Sequence, residues 1–160
     1  MRSLTHAALV LLILFISLGG RAQATEQQLD RDAAAALNAL YASSPAARAL
    51  GAKAKGVLVF PDARESSFVE GALAGDGVLF RDGTVAGHYS IGSLAADLEA
   101  GAQSYSYALF FMSDVALERV NDPDGFDVGG DPNVVIFDVA QALMIGGASL
   151  RGQTITQLDR

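Results

Sequence analysis

The longest strand candidate in the chain is residues 101–112, GAQSYSYALFFM. Alternate side chains of an extended strand share a face, and one face of this segment carries four large residues: Tyr105, Tyr107, Leu109 and Phe111. This face either packs in a core, with the tyrosine hydroxyls at its rim, or contacts lipid, where tyrosine combines an apolar ring with a solvated hydroxyl. The burial preferences of such residues favour the core.

Short apolar runs separated by turn signals indicate that the chain after Gly56 is mainly β-structure. The run at residues 57–60 ends at Pro61, which cannot donate a hydrogen bond to a β-ladder. Turns are predicted at residues 75–77, Gly-Asp-Gly, and at Asp82-Gly83, where a tight hairpin is expected. The other strand candidates are residues 68–73, 78–80, 85–90, 134–137 and 150–156.

Two helices are predicted before this β-region. Residues 27–41 carry apolar side chains at helical spacing on one stripe and polar side chains on the other. Ser44 followed by Pro45 is typical of a helix start and predicts a second helix that ends near Lys55 and Gly56.

A third, short helix is predicted at residues 114–120, with Ser113 as its N-cap. Helices followed by antiparallel strands predict an α+β fold, in which N-terminal helices pack on a curved, mainly antiparallel sheet or sandwich. Neither the helices nor the strands could bury a core alone, so residues 25–160 are predicted to form a single domain.

The first 24 residues have the pattern of a secretory signal peptide. Arg2 precedes an apolar core, and Ala22-Gln23-Ala24 is a small-x-small cleavage site. The apolar core is shorter than the about 20 residues that span a bilayer, although an uncleaved anchor is the alternative. The chain is therefore expected to be periplasmic or secreted after cleavage near Ala24. It contains no cysteine, so packing has to stabilise it without disulfides.

The charge of the chain is strongly acidic, with a formal net charge of −7. This balance argues against nucleic-acid binding, which needs a basic footprint. One stretch, residues 46–64, is locally basic because it contains Arg48, Lys53, Lys55 and Arg64 against Asp62. These four residues are either a patch that docks on an anionic surface or solvated cations near a helix end.

The acidic segment at residues 121–131, NDPDGFDVGGD, is a candidate calcium loop. Calcium loops need oxygen ligands at regular alternate positions, but Phe126 occupies the position that follows Asp122 and Asp124 in this register. Local bonds from aspartate side chains to the backbone are the preferred explanation. No metal and no cofactor are expected.

The sequence gives little support for a catalytic site. After removal of the leader, His88 is the one histidine, and no serine lies in a G-x-S-x-G elbow. Asp97 and Glu99 could share a face of a strand, but paired carboxylates of this kind are common without catalysis. We therefore expect a protein that is not an enzyme.

Several blocks of the chain together resemble the SYLF domain family. They are SSPAARAL at residues 43–50, AKGVLVFP at residues 54–61, residues 101–117, DGFDVGGDPNVV at residues 124–135, and LMIGGASLRGQTIT at residues 143–156. The resemblance implies a non-enzymatic module that binds acidic lipids or membrane surfaces. In eukaryotic relatives it also implies phosphoinositide binding and actin bundling, and the actin activity is not carried over to an exported bacterial protein.

The chain departs from the SYLF pattern in two places. Where relatives show G-S-x-G-L-Q-x-G, residues 93–101 read SLAADLEAG, which adds Asp97 and Glu99. Relatives also have a longer connection between the equivalents of Asp138 and Leu143, so this chain is shortened there. Loss of a sheet element at this point predicts an unpaired edge or an open groove.

The function expected from these observations is a lipid- or membrane-surface-binding module exported to the periplasm. It would dock on anionic lipid through Arg48, Lys53, Lys55 and Arg64. The alternative is a protein-interaction or envelope-structural domain, without a lipid ligand, that uses a sheet edge or an aromatic face to bind an envelope partner.

Overall fold

The computed structural model describes residues 25–65, 73–92 and 103–158. In chain order the elements are α1 (residues 25–43), α2 (Pro45–Lys53), β1 (Gly56–Glu65), β2 (Leu73–Arg81), β3 (Thr84–Gly92), β4 (Ser104–Phe111), α3 (Asp114–Arg119), β5 (Phe126–Asp127), a first 3₁₀ turn (Val128–Gly130), β6 (Val134–Asp138), β7 (Leu143–Ile145), a second 3₁₀ turn (Gly147–Leu150) and β8 (Thr154–Gln157). The three predicted helices are confirmed within these bounds.

The eight strands form one antiparallel sheet in the order β5-β8-β3-β2-β1-β4-β6-β7. The sheet curls into a half-barrel, which confirms the predicted α+β fold with a curved sheet. The 3₁₀ turns that follow the two edge strands pack against each other. A Cβ placed on Gly147 would lie 2.7 Å from the carbonyl oxygen of Gly129, so glycine permits this close approach.

Two apolar cores cover the two faces of the sheet. The first contains side chains from all eight strands and from α3, so it fills the inside of the curl. The second is smaller and lies between the outer face of the sheet and helices α1 and α2. Tyr107, Leu109 and Phe111 belong to the inner core and Tyr105 packs against it, so this face of β4 lies in the core rather than against lipid.

The predicted turn at residues 75–77 is wrong, because these residues lie inside β2. Glycine allows β2 to approach β1 closely here, because a Cβ on Gly75 would lie 2.7 Å from the carbonyl oxygen of Asp62. The turn at Asp82-Gly83 is confirmed, and both residues have positive φ, of 50° and 77°, as a two-residue hairpin requires. Of the predicted strand at residues 68–73, only Leu73 lies within the described residues.

The short connection between Asp138 and Leu143 is a complete hairpin turn. The Asp138 carboxylate accepts hydrogen bonds from the Gln141 backbone N–H at 3.0 Å and from its side-chain amide at 3.2 Å. Strands β6 and β7 pair directly on either side of this turn. The expected open groove is therefore absent from the sheet at this point, and β7 is the last strand on this side of the described sheet.

Candidate functional site

Three of the four predicted cations lie on helix α2 or directly after it. Helix α2 begins at the N-cap Ser44, whose hydroxyl accepts a hydrogen bond from the Ala47 N–H at 3.1 Å. The helix presents Arg48 and Lys53 to solvent, and Lys55 follows just before β1. We call Arg48, Lys53 and Lys55 the α2 surface. The chain path between the first and the last is about 15 Å.

Arg64 lies away from this group. It is nine residues beyond Lys55 along β1, which corresponds to about 30 Å of extended strand. Its guanidinium pairs with Asp62 at 3.3 Å, and the Ser104 hydroxyl donates to the other oxygen of the same carboxylate. The predicted basic stretch is therefore divided, and Arg64 does not contribute to the α2 surface.

The charges of the α2 surface are weakly compensated. Lys55 is 3.9 Å from Asp114, and both side chains are largely exposed. Neither Arg48 nor Lys53 forms an ion pair with another described residue. Because surface ion pairs contribute little binding energy, all three cations are available to an external anion.

An apolar groove lies beside Arg48. It is shallow, has a volume of about 380 Å³, and is lined by Tyr41, Ala42, Pro45, Arg48, Ala49 and Ala52. A second groove, of about 570 Å³, lies between α1, α2 and the β2–β3 hairpin and shares Tyr41 and Arg48 with the first. The α2 surface thus combines positive charge with adjacent apolar contact area.

Tyr41 is the residue of this site that sequence reasoning missed. It ends the apolar stripe of α1, and its ring stands 6.3 Å from the ring of Phe110 in the outer core. Its position requires Gly51 on α2, since a Cβ there would lie 2.7 Å from Tyr41 Cζ. A glycine inside a predicted helix was the available signal, because it is unfavourable there unless a neighbour packs against it.

The tyrosine makes stability sensitive to alkaline pH. Burial raises the pKa of the Tyr41 hydroxyl above its usual value of 10.0. Near pH 10 the unfolded chain therefore loses this proton more readily than the folded chain. Deprotonation favours the unfolded chain, so the free energy of unfolding decreases as the pH rises from the unfolded pKa through the folded pKa. We expect the urea midpoint to fall between about pH 9 and 11, and the fall to be smaller in Tyr41→Phe. An identical pH profile in both proteins would contradict this assignment.

The acidic segment at residues 121–131 forms local turns, as predicted. Asp122, Asp127 and Asp131 each accept a hydrogen bond from the backbone N–H two residues later, at 2.8–3.1 Å. Within the described ranges, no three His, Cys, Asp or Glu side chains are arranged to hold a metal ion.

His88 joins two layers of the fold. Its Nε2 lies 2.8 Å from Oδ1 of Asp30, so the pair links β3 to α1 and leaves both side chains partly buried. This contact gives the histidine a structural role. Asp97 and Glu99, the predicted carboxylate pair, lie outside the described residues.

A larger groove, of about 740 Å³, lies at the opposite end of β1. Its charged lining residues are Asp32, Asp62, Arg64 and Asp76. Three carboxylates against one guanidinium disfavour an anionic ligand there. The α2 surface is the better candidate for anion binding.

No family model and no curated protein matches the chain. No helix in the described part of the chain combines the length and apolar character needed to cross a bilayer.

Proposed function

We propose that the chain is a SYLF-like, non-enzymatic module that binds anionic membrane surfaces. The observation that carries this proposal is the exposure of Arg48, Lys53 and Lys55 on α2 and directly after it, with Arg48 lining the same groove as Tyr41. Cations would contact lipid headgroups, while the small apolar residues of α2 and the tyrosine ring lie at the depth of the interface.

The charge distribution would also orient the molecule. The carboxylates of Asp32, Asp62 and Asp76 line the groove at the far end of β1. An anionic bilayer would repel that end and attract the α2 surface, so one orientation is favoured. Protein partners without lipid remain the alternative, and the aromatic face of β4 does not serve it because that face is buried.

The expected affinity is modest. A basic residue near an anionic membrane surface contributes about 1 kcal/mol, so three contribute about 3 kcal/mol before any apolar contact. Such binding falls steeply with ionic strength, because the Debye length shortens from about 10 Å at 0.1 M to about 3 Å at 1 M.

The test is vesicle co-sedimentation. The full chain is expressed and the exported protein is purified, with its N-terminus determined by mass spectrometry to test cleavage near Ala24. We expect binding to vesicles of phosphatidylcholine with phosphatidylglycerol at about 0.05 M salt, and its loss at about 0.5 M salt. Pure phosphatidylcholine vesicles should not be bound.

Charge reversal locates the binding face. The double variant Arg48→Glu/Lys53→Glu should weaken binding by more than about tenfold, since each reversal removes one attraction and adds one repulsion. The double variant Arg64→Glu/Arg151→Glu changes the net charge by the same amount at exposed positions outside the α2 surface and serves as the control. Equal losses in both double variants would show that net charge, not the α2 surface, determines binding. Absence of binding by the folded wild-type protein would refute the proposal.

The same proposal places the protein in the periplasm or outside the cell. The pattern at residues 1–24 supports export, and an anionic bilayer surface is available in that compartment.

A further inference from the structure

Among the described residues, no strand pairs with the outer edge of β7, and this edge is apolar. Large exposed apolar side chains among the described residues are few, and two of them are neighbours on this strand: Leu143, 57% exposed, and Met144, 59% exposed. The hairpin that carries them is uncharged from residue 139 to residue 149. The edge carries neither charge nor proline, two of the features by which sheets avoid edge pairing; its short length of three residues is a third such feature and limits the pairing to a few bonds.

The backbone of Met144 faces away from the sheet. The Val139 N–H donates to the Ser106 carbonyl, which shows that odd-numbered residues of β6 bond toward β4. Bonding directions alternate along an antiparallel strand, so Phe137 also bonds toward β4, and Met144, its partner across β7, does not bond to β6. One N–H and one C=O of Met144 therefore point outward.

This arrangement is self-complementary. A second β7, placed antiparallel across a two-fold axis at Met144, would exchange two N–H···O=C bonds between the two Met144 residues. In that register, Leu143 of each strand faces Ile145 of the other, so apolar side chains meet on both sides of the pair.

The distribution of charge favours self-association at β7 over self-association at β5, the other edge of the sheet. Strand β5 at the opposite edge contains Asp127 and lies among Asp122, Asp124 and Asp131. Two copies of an acidic chain would repel each other at β5, whereas the uncharged β7 hairpin permits approach.

We propose that β7 is a self-association edge, where the eight-stranded sheets of two copies of the chain pair through Met144 into one continuous sheet of sixteen strands. Three residues per strand bury less than the about 1,200 Å² typical of stable complexes. The dimer is therefore weak, with an expected dissociation constant of about 0.1–1 mM.

Sedimentation equilibrium of the exported protein, up to about 1 mM, tests the proposal. We expect a concentration-dependent dimer, and a decrease of at least about tenfold in the association constant for Met144→Lys, which places like charges across the axis. Val115→Lys alters an equally exposed apolar residue on α3, 63% exposed, and should leave association unchanged.

A covalent trap gives an independent readout. The chain has no cysteine, and the about 5.5 Å between Cα atoms of a hydrogen-bonded pair suits a disulfide. Under mild chemical oxidation, Met144→Cys should form a dimer much faster than Val115→Cys. A protein that stays monomeric throughout, a dimer that persists in Met144→Lys, or equal cross-linking of both cysteine variants would overturn the proposal.

Discussion

The Phe110→Ala variant is expected to lose about 3–5 kcal/mol of the free energy of unfolding. Phe110 is fully buried on the outer face of β4. Its ring packs 6.3 Å from that of Tyr41 on α1 and 5.5 Å from that of Phe137 on β6. Truncation leaves a cavity between the helices and the sheet, where neither layer can close without shifting its own strand or helix.

Urea denaturation followed by circular dichroism measures this loss. Val115→Ala removes an apolar side chain that is 63% exposed and should change stability by no more than about 0.5 kcal/mol. A loss below about 1 kcal/mol in Phe110→Ala would mean that α1 and α2 do not cover this face of the sheet as described. Tyr41→Phe should be mild, because its ring contact with Phe110 is kept.

Helix positions were predictable because their signals are local. The Ser44-Pro45 pair predicted the start of α2, and the Ser44 hydroxyl caps the Ala47 N–H. Ser113 does the same for α3, where it accepts from the Ala116 N–H at 3.1 Å. These bonds depend on residues three apart in the chain, so the sequence contains all the information they need.

Glycine was harder to interpret because it serves two purposes. At Gly83 the backbone has φ of 77° and makes the predicted turn. At Gly75 the backbone is extended, and the missing side chain allows β1 to approach. A single sequence does not distinguish these roles, since the second depends on a strand more than ten residues away.

The short elements were missed for a related reason. Strands β5 and β7 and the two 3₁₀ turns contain two to four residues each, which is too few for periodicity to show. The predicted strand at residues 150–156 is instead the end of a 3₁₀ turn followed by β8. Strands β5 and β7 form because β8 and β6 provide backbone hydrogen-bond partners for them.

The basic residues of the candidate site could be named from the sequence, but the groove beside them could not. Arg48, Lys53 and Lys55 lie within eight residues of the chain, on α2 and directly after it. Arg64 is also close in the chain, but the extended β1 carries it about 30 Å away. The groove beside Tyr41 depends on the packing of α1 against α2, which charge counting does not describe.

Gly77 gives the second large effect, because it lies where β2 crosses an aromatic ring of β1. The Gly77→Ala variant is expected to lose about 3 kcal/mol, the upper end for overpacking. A Cβ at this position would lie 2.6 Å from Phe60 Cδ1 and 2.8 Å from the Val59 carbonyl oxygen. Phe60 is fully buried in the inner core and has little room to turn, and the carbonyl belongs to a paired strand.

Thermal unfolding of Gly77→Ala and Gly130→Ala separates this clash from the general effect of replacing glycine. Nothing lies within 4 Å of a Cβ at Gly130, and its φ is not positive, so alanine there should be neutral or slightly stabilising through the unfolded chain. If the residues at 75–77 formed a solvent-exposed turn, the two variants would behave alike. A drop in the unfolding temperature confined to Gly77→Ala would instead place this glycine inside a packed strand, against Phe60.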